Sequence, residues 1–290
     1  MSSPSVTGPH FWQRFRRNKL AVAGLAALVF LALMAVAAPL LPLADPYASF
    51  RQADGSYLVW GLPSRTHPLG TDGIGRDVLS RLVFGSRVSM SVGLVSVSIS
   101  VTLGTLLGSV AGFSGGWIDN LIMRFTDVVI CFPLMFLIIT ISTLLPPSIY
   151  NVMAVIGLVS WTGTCRLVRG EFLKLREMEF VEAARALGVR GGRIIARHML
   201  RNAMAPIVVA STLDLARAIL TEASLSFLGV GVQQPIPSWG NMLNEAMSLT
   251  VLAHRPLLWL APGLAVMITV LSINFVGDGL RDALDPRLKM

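Results

Sequence analysis

Charge is scarce in this chain. Only 14% of its 290 residues are Asp, Glu, Lys or Arg, against about 25% in ordinary soluble domains, while 53% are hydrophobic. Water is therefore not its main solvent. Cysteine is nearly absent too: Cys131 and Cys165 lie far apart in apolar surroundings, a spacing that fits neither a disulfide framework nor a zinc site, and both read as packing residues. No phosphate-binding GxxxxGK[ST] loop occurs, nor HExxH, nor GxSxG, so the chain lacks the motifs of an NTPase, a zinc protease or a serine hydrolase. Any energy source must come from another chain. The four histidines, His10, His67, His198 and His254, are scattered without carboxylates at ligand spacing and read as solvated or structural. A net charge of +8 points to nucleic acid only if the basic residues gather on one solvated face. Here they are interleaved with apolar runs, which excludes that partner.

Long uncharged stretches are what the chain does have. A bilayer core about 30 Å thick needs about 20 apolar helical residues, and runs free of charge extend over residues 20–44, 88–118 and 128–165. The last is too long for one crossing. Pro146-Pro147 removes two backbone donors and favours a turn, which predicts helices over 126–145 and 148–166. Further spans are predicted over 203–228 and 257–276. The result is an all-α, polytopic membrane protein with six transmembrane helices. A basic leader followed by an apolar run and Ala35-Val36-Ala37 also has the outline of a cleavable signal peptide. The 25 uncharged residues of 20–44, however, exceed the 7 to 15 or so of a signal core.

Basic residues in short loops mark the cytoplasmic side. One side of the six-span scheme holds Arg14, Arg16, Arg17, Lys19, Arg124, nine residues from Arg166 to Arg201, then Arg281, Arg287 and Lys289. The other holds only Arg51, Arg65, Arg76, Arg81, Arg87 and Arg255. Both termini are thus expected in the cytoplasm. The chain divides into a cytoplasmic segment (1–19), the first span (20–44), an external segment (45–87), a five-span core (88–279) containing a cytoplasmic loop (169–202), and a cytoplasmic tail (280–290).

That loop is the most informative. Phe180 to Leu187 is a run of helix formers closed by Gly188, a residue suited to a helix stop. By itself the segment fits either an amphipathic helix on lipid phosphates or a docking helix. Glu182-Ala183-Ala184, with Gly188 six positions after the glutamate and Leu200 twelve after the glycine, resembles the EAA loop of ATP-binding cassette import permeases. Arg201 departs from that pattern, standing where a proline usually follows the leucine, and Pro206 is left to shape the start of the fifth span.

Further motifs are similar to the C-type permease of the dipeptide, oligopeptide and nickel group. They are His67-Pro68-Leu69-Gly70-Thr71-Asp72 with Gly75-Arg76-Asp77, then Glu222-Ala223-Ser224-Leu225-Ser226-Phe227-Leu228-Gly229, Pro237-Ser238-Trp239-Gly240 and Asn274-Phe275-Val276-Gly277-Asp278-Gly279. Taken singly they have plain structural readings. Residues 72–77 lack the alternating acids of a calcium loop and read as a polar turn. Gly277-Asp278-Gly279 reads as the end of the last helix, with Arg281 pairing a carboxylate.

The resemblance implies a type I ABC importer permease fold in a bacterial inner membrane. It implies a non-catalytic subunit that pairs with a homologous second permease, contacts two cytoplasmic ATPases through Glu182, Ala183, Ala184, Arg185, Leu187 and Gly188, and meets an external substrate-binding protein. ATP and Mg²⁺ would bind those ATPases, and no cofactor or metal this chain. Outer-loop Tyr47, Tyr57, Trp60 and Trp239 would meet the binding protein, or simply anchor at the interface. An ion-coupled carrier or a non-transporting scaffold are the competing classes, although no internal repeat of the carrier kind is evident.

Asp214, Arg217 and Glu222 fall inside the fifth span, where a charge at the membrane centre costs roughly 2.5 to 3.5 kcal/mol. Asp214 and Arg217, three apart, can pair on one face, and Glu222 points elsewhere. The pair fits a polar face on a translocation path or a salt bridge locking helices together.

Overall fold

The longest helix, Val78–Ser114, rises about 55 Å at 1.5 Å per residue, more than a bilayer core needs. In the computed structural model, which describes residues 9–284, it is labelled α3 and follows α1 (Pro9–Arg17) and α2 (Lys19–Ala37). Next come α4 (Gly116–Cys131), α5 (Leu134–Leu144), α6 (Ile149–Arg176), α7 (Glu179–Ala186) and the short α8 (Gly191–Arg193). A π-helical segment, Ile194–Met199, leads into α9 (Leu200–Phe227). After α10 (Trp239–Leu243) and α11 (Leu249–His254), α12 (Pro256–Leu284) closes the chain. Among the described residues β structure is limited to isolated bridges in the segment before α3.

Five helices are long and apolar enough to cross a membrane, and the bent pair α4 and α5 makes a sixth. Several boundaries differ from the sequence expectation. The second span starts at Val78, not residue 88, because Asp77 caps it by accepting from the Ser80 amide at 2.8 Å, so charges at Arg81 and Arg87 lie inside the helix rather than before it. The third is broken. Pro133 has no amide to donate and holds Phe132 extended, and the chain turns by 85° between α4 and α5. Helix α6 runs on to Arg176, ten residues past the expected end. The last helix runs to Leu284 instead of stopping at Gly277: Gly277 packs on Thr212, and Gly279 on Ala21 and Phe15. Among the described residues no carboxylate is within ion-pair reach of Arg281, and Arg287, Lys289 and His10's side chain lie outside them.

Lipid tails are as apolar as leucine, so membrane helices associate through close packing instead of hydrophobic exclusion. Gly104, Gly108 and Gly112 recur at four-residue spacing on one face of α3. A Cβ on Gly108 would stand 2.5 Å from the Cys165 carbonyl, and one on Gly112 2.5 Å from Phe172 Cβ. Gly157 of α6 returns the fit, its virtual Cβ 2.7 Å from that of Ile99. Positions rise together along both chains, so α3 and α6 run parallel. Against this pair packs α9, α12 lies on α9, and α2 lies on α12.

Candidate functional site

Helix α7 is short because of what brackets it. Met178, extended, precedes it, and Gly188 at φ +73° follows, a left-handed conformation that glycine adopts without strain. Val181 and Ala184 are buried against Phe172 of α6 and Ile194 and Met199 of the π-helical segment. Arg185 is exposed but lies along α3, its guanidinium 5.3 Å from the Phe113 ring centroid at the end of that helix. The helix thus rests on the ends of α3 and α6 and on the segment that feeds α9. Its outer face is open: Glu179, Phe180, Glu182, Ala183, Leu187 and Gly188 are exposed, Leu187 by 83%. Of the six residues singled out from sequence, five are exposed and Ala184 is buried, with Arg185 also touching Phe113. Arg201 is accommodated without a proline, exposed on the first turn of α9, with Pro206 inside that helix.

The intramembrane charges separate into two groups. Arg217 Nη1 donates to Asp214 Oδ1 at 2.9 Å, and Thr164 of α6 donates to Asp214 Oδ2 at 3.1 Å. This pair borders a cavity of about 210 Å³ between α3, α5, α6 and α9. Glu222 is fully buried on another face of α9, where Ser226 donates to it at 2.8 Å and the hydroxyls of Ser89 and Ser238 lie alongside. Ser238 is the N-cap of α10. Glu222 therefore joins α9, α3 and α10, and does not line the cavity.

Two clusters were not legible in the sequence. Arg169, counted as a loop cation, lies in α6 and holds Asp119 of α4 by two hydrogen bonds, and Arg166 pairs with Asp127 at 2.5 Å. Residues 72–77, expected as a polar turn, do turn at Gly73-Ile74, but their charged side chains are buried in a knot with His67. His67 Nδ1 is 2.9 Å from Asp77 Oδ1, and Arg76 Nε donates to Asp72 Oδ2 at 2.6 Å, with Arg81 Nε 3.4 Å from the same oxygen. The Gly73 amide donates to both oxygens of Glu245, which lies between α10 and α11. Burial pushes the Glu245 carboxyl up, and Asp72 adds to this. Trp239, expected to be exposed, is buried and donates to the Leu82 carbonyl at 3.1 Å.

Residues 104–290 match the family described as binding-protein-dependent transport system inner membrane component, and residues 10–58 the N-terminal membrane domain of oligopeptide transport permease C. The chain belongs to this family. It is a C-type ABC importer permease and a multi-pass inner-membrane protein. Over 278 residues it is 43% identical to a dipeptide transport system permease protein of Alkalihalophilus pseudofirmus, with 96% of this permease and 89% of the relative aligned. A glutathione transport system permease protein of Pectobacterium atrosepticum is 42% identical, with 96% and 91% aligned. An oligopeptide transport system permease protein of Bacillus subtilis is 37% identical, with 95% and 88% aligned. Among solved structures, a chain of the inward-facing MetNI methionine ABC transporter superposes with a TM-score of 0.58 at 18% identity, covering 71% of the permease and 96% of that chain. The fold is accordingly that of a type I importer permease, and the carrier and scaffold readings give way.

Proposed function

We propose that this permease forms half of the translocation pathway of a peptide importer and receives the motion of cytoplasmic ATPases through α7. The observation that carries the coupling role is the outer face of α7. It offers two exposed glutamates, Glu179 and Glu182, beside exposed Phe180 and Leu187, with the exposed Arg185 guanidinium over Phe113. A face with two carboxylates to one guanidinium, and two bare apolar side chains, suits a cleft in a protein better than anionic lipid phosphates.

The seating of α7 gives the motion somewhere to go. Closure of the ATPases around ATP and Mg²⁺ would displace α7, and its buried contacts would pass that displacement to α3, α6 and α9 as one body. ATP favours one arrangement of the bundle only through unequal contacts in the two states. In this reading both termini are cytoplasmic, hydrolysis belongs to separate ATPase subunits, and a homologous second permease completes the pathway. The loops before α3 and between α9 and α12 face an external binding protein. The substrates named for the relatives are the basis for assigning peptides.

Copurification tests it. The tagged permease, expressed with its second permease and ATPases, is expected to retain the ATPases, and Glu182→Lys or Leu187→Glu to release them. Both side chains are exposed, so the bundle should melt as in the parent. ATPases retained by both variants, with uptake intact, would remove α7 from the coupling role.

A further inference from the structure

Arg217 sits inside a membrane helix with 73% of its side chain exposed. A guanidinium does not face hydrocarbon at that depth without heavy cost, so the exposed side opens onto water-filled space. Asp214 takes one of its donors, and an arginine has five. Both oxygens of Asp214, by contrast, already accept a bond, one from Arg217 and the other from Thr164. What the pair offers a visitor is donors.

The adjoining cavity has the same character. Ser96, Ser100, Ser160, Thr162 and Thr221 line it. The Ser100 hydroxyl, in a residue only 2% exposed, has no hydrogen-bond partner. Buried polar groups are nearly always satisfied, so an unpaired hydroxyl in a cavity wall points to an occupant that supplies the missing bond. Gly163 opens the wall further, since a Cβ there would meet nothing within 4 Å. At about 30 Å³ per water, 210 Å³ holds about seven waters, which suits one end of a peptide more than a whole one.

We infer that this cavity is a transit station for the C-terminal carboxylate of the transported peptide, with Arg217 as its recognition residue and Asp214 holding the guanidinium in place. A guanidinium matches a carboxylate with two parallel bonds. The neighbouring Asp214 cancels most of the net charge, so the contact is selective without becoming a trap, as conduction requires. The inference rests on the peptide-import reading and adds the part of the peptide that is read and the residue that reads it.

The test uses the whole transporter in proteoliposomes, with its binding protein, and compares ATP-driven uptake of alanyl-alanine with that of its C-terminal amide. The same binding protein serves parent and variant, so a changed ratio of free acid to amide arises in the membrane. Arg217→Gln is expected to lower that ratio by about tenfold, the worth of one charge-assisted bond, and Arg217→Lys to restore part of it. Gly163→Leu, whose Cβ enters open space in the cavity wall, is expected to lower uptake of both. An unchanged ratio in Arg217→Gln together with normal uptake in Gly163→Leu overturns the inference while leaving the import function standing. Loss of the second permease from Arg217→Gln would make the arginine a contact between permeases, and also overturns it. Failure of the parent to import any peptide removes the peptide reading itself, and the inference with it.

Discussion

Arg169 of α6 grips Asp119 of α4 through two bonds, 2.5 Å from Nε to Oδ1 and 2.7 Å from Nη2 to Oδ2. Asp119 is buried and lies in the first turn of α4, where a negative charge is favoured by the helix dipole. The bidentate bond fixes the start of α4 on α6, at the opposite end of α4 from the turn at Pro133.

Breaking that pair is expected to cost more than a surface salt bridge and less than a fully buried one, because Arg169 keeps a third of its side chain in contact with solvent. Asp119→Asn and Arg169→Gln should each lower the melting temperature of the detergent-solubilised permease. In a double-mutant cycle the two should couple by about 1 to 3 kcal/mol. Additive effects would show that the two groups do not support each other.

At Gly108, α3 meets the backbone of α6 directly. Replacing it with leucine sets a side chain against the Cys165 backbone carbonyl, 2.5 Å from where Cβ would be, and backbone in a helix cannot move aside. Gly108→Leu should reduce folded yield severely, and Gly108→Ala less so. Gly163→Leu on the same α6, with open space before it, should leave yield unchanged. Equal yields for Gly108→Leu and Gly163→Leu would refute the close packing.

The tether between Glu245 and Gly73 carries a pH dependence. Burial and Asp72 raise the Glu245 carboxyl above its ordinary value of 4.5, outweighing the Gly73 amide, Arg76 and Arg81. The folded state thus holds this proton more tightly than the unfolded chain. That contribution is full below the unfolded value and is lost as pH rises through the folded one. Glu245→Gln, which stays neutral and keeps an acceptor for Gly73, should gain on the parent as pH rises from about 4 to about 7. The measurement is the difference in melting temperature across that range, and a constant difference would rule out titration of Glu245.

The last helix shows how far local pattern reaches. Gly277-Asp278-Gly279 reads as a helix stop, yet in the fold both glycines face another helix and α12 continues. The same holds for residues 72–77. Their polarity suggested a turn, and only the return of the α9–α12 connection, bringing Glu245 to Gly73, buries them.

The sequence by itself determined the number of apolar crossings, the short helix α7 and its glycine stop. Each depends on residues close together in the chain: a bilayer charges every uncovered backbone group and ionic side chain by local composition, and a left-handed stop needs one glycine. The tertiary structure alone decided which charges meet. Arg169 finds Asp119 fifty positions away, Glu245 finds Gly73 at a separation of 172, and Arg217 is exposed while Glu222, five residues on, is sealed. Those outcomes follow from how rigid helices pack, and packing is settled between distant faces that no local pattern contains.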